Sequence, residues 1–508
     1  MMGVFAALLA ASIGLFIAVP KGFIPDQDVG IIAGSAQFDP EVSFPEAARL
    51  QQAVARIVMQ DPDVADVSSF IEPHHLTSGR MYVDLKPFGA RHSSIMQVIA
   101  RLRPRVARIA GVQFSMQPIE DIQVGAHLTS TQYQYSLQDA DTAELYHWAP
   151  ILGDALARLP QLRDVVTDLE PDSPHAAVVV DRQTAARLGI TTQQIDDTLY
   201  DAFGQRQVAT LYTAIDQFHV ILEVPPQFRL TSASLHDIYL RSSTGSLVPL
   251  SAISRIVPSA GPQSINHEGQ FPAVTLSFNL APGVSLGQAV QAVQAARQRL
   301  GIPSSVRAGF QGTARAFQAS LASEPYLILA AVLAVYIVLG MLYESTLHPL
   351  TILSTLPSAG AGALAALMLT GNELDVVSLV GLILLIGIVQ KNAIMMIDFA
   401  IDARKSAGLA PGEAIHRAAL LRFRPIMMTT LTALLGSLPL ALGNGPGSEL
   451  RRPLGIAIVG GLAVSQLLTL YTTPVVFIYM ERVRGVLIHT VRIVRERVAG
   501  FGTPLDRA

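Results

Sequence analysis

The chain has 508 residues, half of them apolar and 15% charged, with a formal net charge of −3 and a mean hydropathy of +0.40. Soluble proteins carry about 25% charged residues, so an ordinary soluble protein, a disordered chain, a collagen-like fibre and a disulfide scaffold are all excluded. The absence of cysteine removes thiolate metal sites and cysteine nucleophiles, and the charge balance, with no basic block, argues against a nucleic-acid binder.

Six stretches are long and apolar enough to cross a bilayer, which takes roughly 20 residues. They cover 3–20, then about 325–343, 349–371, 376–401, 425–443 and 453–480. The first has no basic residue ahead of it and ends in Val19-Pro20-Lys21-Gly22, unlike a secretory signal. A chain opening inside a membrane helix reads as a truncated start, a fragment or the second half of a larger pump. Loop 402–424 holds Arg404, Lys405, Arg417, Arg422 and Arg424, and the tail after 480 holds Arg482, Arg484, Arg492, Arg495 and Arg497. The positive-inside rule makes both cytoplasmic. Alternation then puts region 21–324 outside. A cysteine-free exported region fits an oxidising compartment such as a periplasm.

Region 30–119 reads as strand 29–38, helix 44–59, strands 64–70 and 80–85, helix 94–109 and strand 112–117. This βαββαβ order predicts a ferredoxin-like unit. The order recurs as strand 132–137, helix 142–159, strand 163–169, strand 273–279, helix 286–300 and strand 305–310. The second unit is therefore split by an insertion, with strands 176–180 and 219–224 and a helix near 192–202. The expected fold is a six-span membrane helical bundle plus an α+β region of two ferredoxin-like units with an inserted subdomain. The expected domains are 1–20, 21–119, 120–169, 170–270, 271–318, 325–480 and the tail 481–508.

Several strings carry a family resemblance: Pro20-Lys-Gly-Phe-Ile-Pro-Asp-Gln-Asp28, Tyr343-Glu-Ser345, Gly387-Ile-Val-Gln-Lys-Asn-Ala-Ile-Met-Met-Ile-Asp-Phe399 and Leu421-Arg-Phe-Arg-Pro-Ile-Met-Met-Thr-Thr430. Over essentially its whole length the chain resembles the C-terminal half of a resistance-nodulation-division (RND) efflux pump. It is most similar to the hydrophobe/amphiphile exporters of the MdtB/MdtC type, which are AcrB-like. The resemblance implies a bacterial inner-membrane transporter with no cofactor, driven by the proton gradient. It implies porter subdomains at 21–119 and at 120–169 with 271–318, and a docking or funnel subdomain at 170–270. The implied partners are a missing N-terminal half, a homo- or hetero-trimer, a periplasmic adaptor protein, an outer-membrane channel and small-molecule drugs.

Of four lysines, Lys391 alone sits in an apolar run, about 15 residues into the fourth span, near mid-bilayer at about 1.5 Å per residue. A charge there costs at least ~2.5–3.5 kcal/mol. Asp398 lies seven residues on, roughly 10 Å along the axis, and is no direct partner. The partner of Lys391 is thus expected outside this chain; the resemblance supplies paired aspartates in the other half. It also implies proton-relay roles for Thr429 and Arg422. Back-bonding of Thr429 to its own helix and a simple anchoring role for Arg422 stand beside those roles. Asn392 fits helix–helix bonding.

The connection 71–79 corresponds in the family to a flexible loop between drug pockets. Phe70, His74 and His75 are the candidate substrate contacts; a solvated hairpin fits them equally. Two adjacent histidines without carboxylates form a weak ligand set, so no metal site is expected and a heavy-metal RND exporter is the alternative. No Walker A, Gly-x-Ser-x-Gly or His-Glu-x-x-His string is present, so neither an ATPase nor a hydrolase is expected. A non-transporting RND-like scaffold would not need Lys391 with the 421–430 string.

Overall fold

The computed structural model describes residues 2–39, 42–72, 75–122, 130–169, 173–229, 231–262 and 264–500, with the side chains of 72, 75–77, 173, 174 and 485–500 outside the description. Contacts divide the chain into two compact units, Met1–Leu169 with Asn266–Ala508, and Glu170–Ile265.

The first unit holds two antiparallel sheets. Strands β1 (Ile31–Phe38), β2 (Val64–Glu72), β3 (His75–Leu85) and β4 (Val112–Pro118) pair in the order β2-β3-β1-β4. Along β1 buried and half-buried residues alternate strictly, as a sheet with one covered face requires. The cover is two helices, Phe44–Met59 and Ile95–Val106, whose buried residues recur at helical spacing: Leu50, Val54 and Val58 on one, Ile95, Val98, Ile99 and Leu102 on the other. Ser94 and Gln97 form a capping box at the second. Strands β5 (Tyr133–Gln138), β6 (Leu162–Thr167), β7 (Phe271–Leu280) and β8 (Arg307–Gln311) repeat the pattern as β6-β7-β5-β8, with His267–Glu268 added beside β7. Their helices are Thr142–Ala157 and Leu286–Leu300.

The sheets touch at Asp164, which sits in the left-handed region (φ 50°). Its carboxylate accepts from Arg103 Nη2 at 2.6 Å and from Asn279 Nδ2 at 2.9 Å, and Asn279 also donates to Met116 O at 3.2 Å.

The predicted loop 71–79 differs. Strands β2 and β3 continue through most of it, pairing Ile71 with Gly79, and Gln51 packs against Gly79 and donates to Arg80 O at 3.0 Å. The side chain of Gln51 satisfies the strand backbone there, so pairing extends where polarity alone reads as loop.

Among the described residues five helices are long and apolar enough to cross a membrane: Gly312–Tyr343, Leu347–Leu369, Val376–Ala407, Pro411–Leu442 and Ser448–Arg484. The first apolar segment forms the shorter helix Met2–Ala18. Helix Gly312–Tyr343 begins 13 residues before the predicted span, directly after β8. Ala314 and Phe317 belong to the core of the second sheet, with Tyr135, Phe278 and Phe310. The chain after Met2–Ala18 is stitched to the loop before Val376: Gly22 N donates to Leu374 O at 3.1 Å, Leu374 N to Pro20 O at 2.8 Å and Val376 N to Phe23 O at 3.1 Å.

Glycines set the closest helix approach. A Cβ on Gly362 would lie 2.7 Å from Gly460 O and 2.6 Å from Val464 Cβ, and one on Gly460 would collide with Ala366 Cβ. Small residues at such a crossing permit backbone contact.

The second unit pairs Ser173–Val180 with Ser254–Gly261, and Tyr239–Arg241 with Leu247–Pro249. Helices Arg182–Arg187 and Thr192–Phe203 pack on a small core of Ala185, Ile190, Ile195, Leu240, Leu250 and Ile253. Strands Arg206–Tyr212 and Gln217–Leu222 form a hairpin in which every residue of the second strand is exposed.

Gly460→Val should destabilise the chain by about 1–3 kcal/mol through overpacking, whereas Gly387→Ala, whose Cβ meets nothing within 4 Å, should be neutral. Thermal unfolding of detergent-solubilised protein distinguishes the two.

Candidate functional site

Helix Val376–Ala407 starts at a capping box made by Asp375 and Ser378, which satisfies orphan donors at its first turn. Its residues divide into two faces. Leu385, Val389, Asn392, Ala393, Met396 and Ala400 are buried. Val380, Leu384, Gly387, Lys391 and Asp398 are exposed. Their offsets of 4, 7, 11 and 18 residues place them on one side of a helix with 3.6 residues per turn. Lys391 thus stands on the face this chain leaves open.

The other predicted residues are placed separately. The Thr429 hydroxyl donates to Ile426 O of its own helix at 3.1 Å. The Arg422 guanidinium lies 5.0 Å from the Phe399 ring centroid, and its Nε is buried without a hydrogen-bond partner. Among the described residues no hydrogen bond or ion pair joins Lys391, Thr429 and Arg422 to one another. Phe70 is exposed near the end of β2, its ring 6.2 Å from that of Tyr82. His74 and the side chain of His75 lie outside the described residues.

The buried face carries a polar joint. Asn392 Nδ2 donates to Thr430 Oγ1 at 2.9 Å and to Gln466 Oε1 at 3.2 Å, and Gln466 Nε2 reaches Met427 Sδ at 3.0 Å. One amide therefore ties three helices. Asn392 was legible in the sequence as a bonding residue; its partners Thr430 and Gln466 were not. A second cluster was missed at the basic end of the bundle. Glu481 takes a hydrogen bond from Arg404 and lies 3.5 Å from Arg484 and 3.9 Å from His348 Nε2. Glu481 falls one residue past the expected sixth span, and burial made it important.

At the opposite end, carboxylates gather where the first sheet meets the loop before Val376. Gln132 Nε2 donates to Glu120 Oε1 at 2.5 Å and to Asp26 Oδ1 at 3.3 Å. Burial, then the neighbouring Asp26 charge, pushes Glu120 up to about 7. Burial, then Asp26 and Asp375, pushes Glu373 up to about 7.

Five apolar helices long enough to cross a bilayer, joined to a mixed α/β region, define a multi-pass membrane protein. The AcrB/AcrD/AcrF family model matches residues 1–481; the chain belongs to that family, within the RND superfamily. Two crystal forms of a heavy metal efflux pump are similar to it. Each has 26% sequence identity, with TM-scores of 0.79 and 0.80 over 94% and 95% of this chain, and 50% of the pump chain in both. The chain therefore spans half the length of those structures.

The raised carboxyls carry a signed expectation. With a folded-state value near 7 against an ordinary 4.5, each acid costs stability as pH rises from 4.5 through 7. Glu373→Gln should raise the unfolding temperature over wild type at pH 8 and leave it unchanged at pH 4.5. A thermal scan across that range would show the difference growing through the window.

Proposed function

We propose that this chain is one half of a proton-driven exporter of drugs and other amphiphilic compounds in a bacterial inner membrane. The observation that carries it is Lys391 on the open face of a membrane helix. An ammonium in hydrocarbon requires an anionic partner or water, and the similar pump is twice as long. A second bundle with intramembrane carboxylates fits against this face. Protonating those carboxylates weakens their hold on the lysine, which makes helix packing depend on the proton. Thr429 and Arg422 are the further relay residues proposed, with no cofactor beyond the gradient.

Met2–Ala18 completes six spans in this proposal, since its following strand of chain already lies beside Leu374. The two sheets are porter units of ferredoxin-like type; both place the third strand between the first and second, as a split βαβ motif does. The second unit is the docking part, facing an outer-membrane channel and adaptor in a trimer. Its exposed hairpin carries Leu211, Tyr212, Ile215 and Phe218, an apolar surface suited to a protein partner. Phe70, His74 and His75 are proposed to meet substrate.

A heavy-metal substrate is the second reading, favoured by the metal pump among the similar structures. Resistance of expressing cells to amphiphilic dyes and to heavy-metal salts, tested side by side, separates the two.

In the assembled pump, Lys391→Met and Lys391→Arg should both reduce efflux to the level of cells lacking the pump, at matched protein levels. Methionine removes the charge, and a guanidinium keeps it permanently. Drug accumulation under an imposed proton gradient measures this; wild-type export by Lys391→Met sinks the proposal.

A further inference from the structure

Helices Leu347–Leu369 and Ser448–Arg484 pass each other in opposite directions, with Ala366 against Gly460 and Gly362 against Val464. Beyond this glycine crossing, buried polar residues replace the small ones on both helices. Thr351, Thr355 and Ser358 are 0%, 1% and 3% exposed; Ser465, Thr469 and Thr473 are 3%, 3% and 0% exposed. Spacings of three and four residues put each set on one helix face, and the register set by the glycines brings the two sets to the same depth.

The hydroxyls of Thr351, Thr355 and Ser358 donate to carbonyls of their own helix, which leaves oxygen lone pairs to accept. Ser465 and Thr469 hydroxyls lie 3.1 Å apart. Thr473 Oγ1 is buried with no partner in the protein, as is Nε2 of Gln390, 3% exposed on the adjoining helix. Buried polar groups are paired with protein or water, and a polar cavity holds water where an apolar one stays dry.

Both rows run on to a charged end. His348 lies one turn from Thr351, and Glu481 two turns from Thr473. Oε1 of Glu481, whose side chain is 6% exposed, has no hydrogen-bond partner and faces His348 Nε2 at 3.9 Å. The imidazole is held between the rings of Phe477 (6.4 Å) and Tyr343 (6.1 Å). The charged groups around it are Arg404 and Lys405 on one helix and Glu481 and Arg484 on another. An imidazole takes and releases protons in the physiological range, and hydroxyls both donate and accept.

Resting on the proton coupling proposed above, we propose that this seam is a hydrated proton path from mid-bundle to the cytoplasm, with the His348–Glu481 pair as its inner terminus. A proton reaching mid-bundle would pass along water and the two hydroxyl rows. The His348 imidazole, facing Glu481 Oε1, would hand it to cytoplasmic water.

This chain holds no cysteine, so once any cysteine of the other half is replaced, an introduced thiol is the sole target. In the assembled pump, Thr355→Cys and Ser358→Cys are exposed from the cytoplasmic side to a charged, membrane-impermeant thiol reagent, with Ala400→Cys as the buried apolar comparison. A hydrated seam gives labelling faster than Ala400→Cys by about tenfold or more, the thiolate lost with each pKa unit that a dry site adds. Equal protection of all three overturns the proposal. In vesicles, His348→Gln should slow drug-coupled proton uptake while leaving drug binding unchanged; wild-type proton uptake by that variant overturns the terminus. If the wild-type pump moves no protons, the coupling proposed above fails with it. A dry seam in a pump that does move protons sinks this path alone.

Discussion

An ammonium in hydrocarbon has to be answered by an opposite charge or by water, and Lys391 presents that demand on the open face of its helix. The opposite face is satisfied internally. There Asn392 reaches Thr430 and Gln466, and interhelical bonds of this kind contribute about 0.6–2 kcal/mol. The unpaired charge costs at least ~2.5–3.5 kcal/mol. The uncovered side therefore carries the greater energy and governs what the helix packs against. In the proposed assembly one helix would serve both as a fixed member of this bundle and as a contact surface for another.

The membrane and sheet regions of the first unit are joined in two places. Helix Gly312–Tyr343 belongs to both, with Phe317 in the core of the second sheet. The strap Pro20–Phe23 is bonded to Leu374 and Val376 and carries the chain on toward the first sheet. Between the sheets, Arg103 on a helix covering the first donates to Asp164 of the second, and Asn279 of the second donates to Met116 O of the first. Hydrogen bonds to charged groups are worth about 1.5–3 kcal/mol, so the contact fixes the spacing of the sheets more firmly than apolar packing of similar size.

Much of this architecture was legible from period alone. Helices Phe44–Met59 and Leu286–Leu300 fall where their apolar spacing predicts, because each buries one face on a sheet. The length of Gly312–Tyr343 was not legible, since its polar first turns resemble a loop until Ala314 and Phe317 are seen in a core. The same holds for strand Arg206–Tyr212, whose residues are mostly exposed and so carry no burial pattern. Lys391 stood out because charge in an apolar run is expensive. His348 and Glu481 did not, because each lies at the edge of an apolar run, where polar residues are ordinary. Only the meeting of three helices makes them a cluster.

Helix Gly312–Tyr343, at 32 residues, is about 48 Å long at about 1.5 Å per residue. It is anchored in the second sheet at its start, and near its end Leu339 packs on the membrane helices. A tilt of about 5° about the membrane end swings the start by about 4 Å. Phe317 sits in a close-packed core, and such cores move as blocks and do not deform smoothly. Any angular stroke of this helix in the membrane would therefore displace a whole sheet.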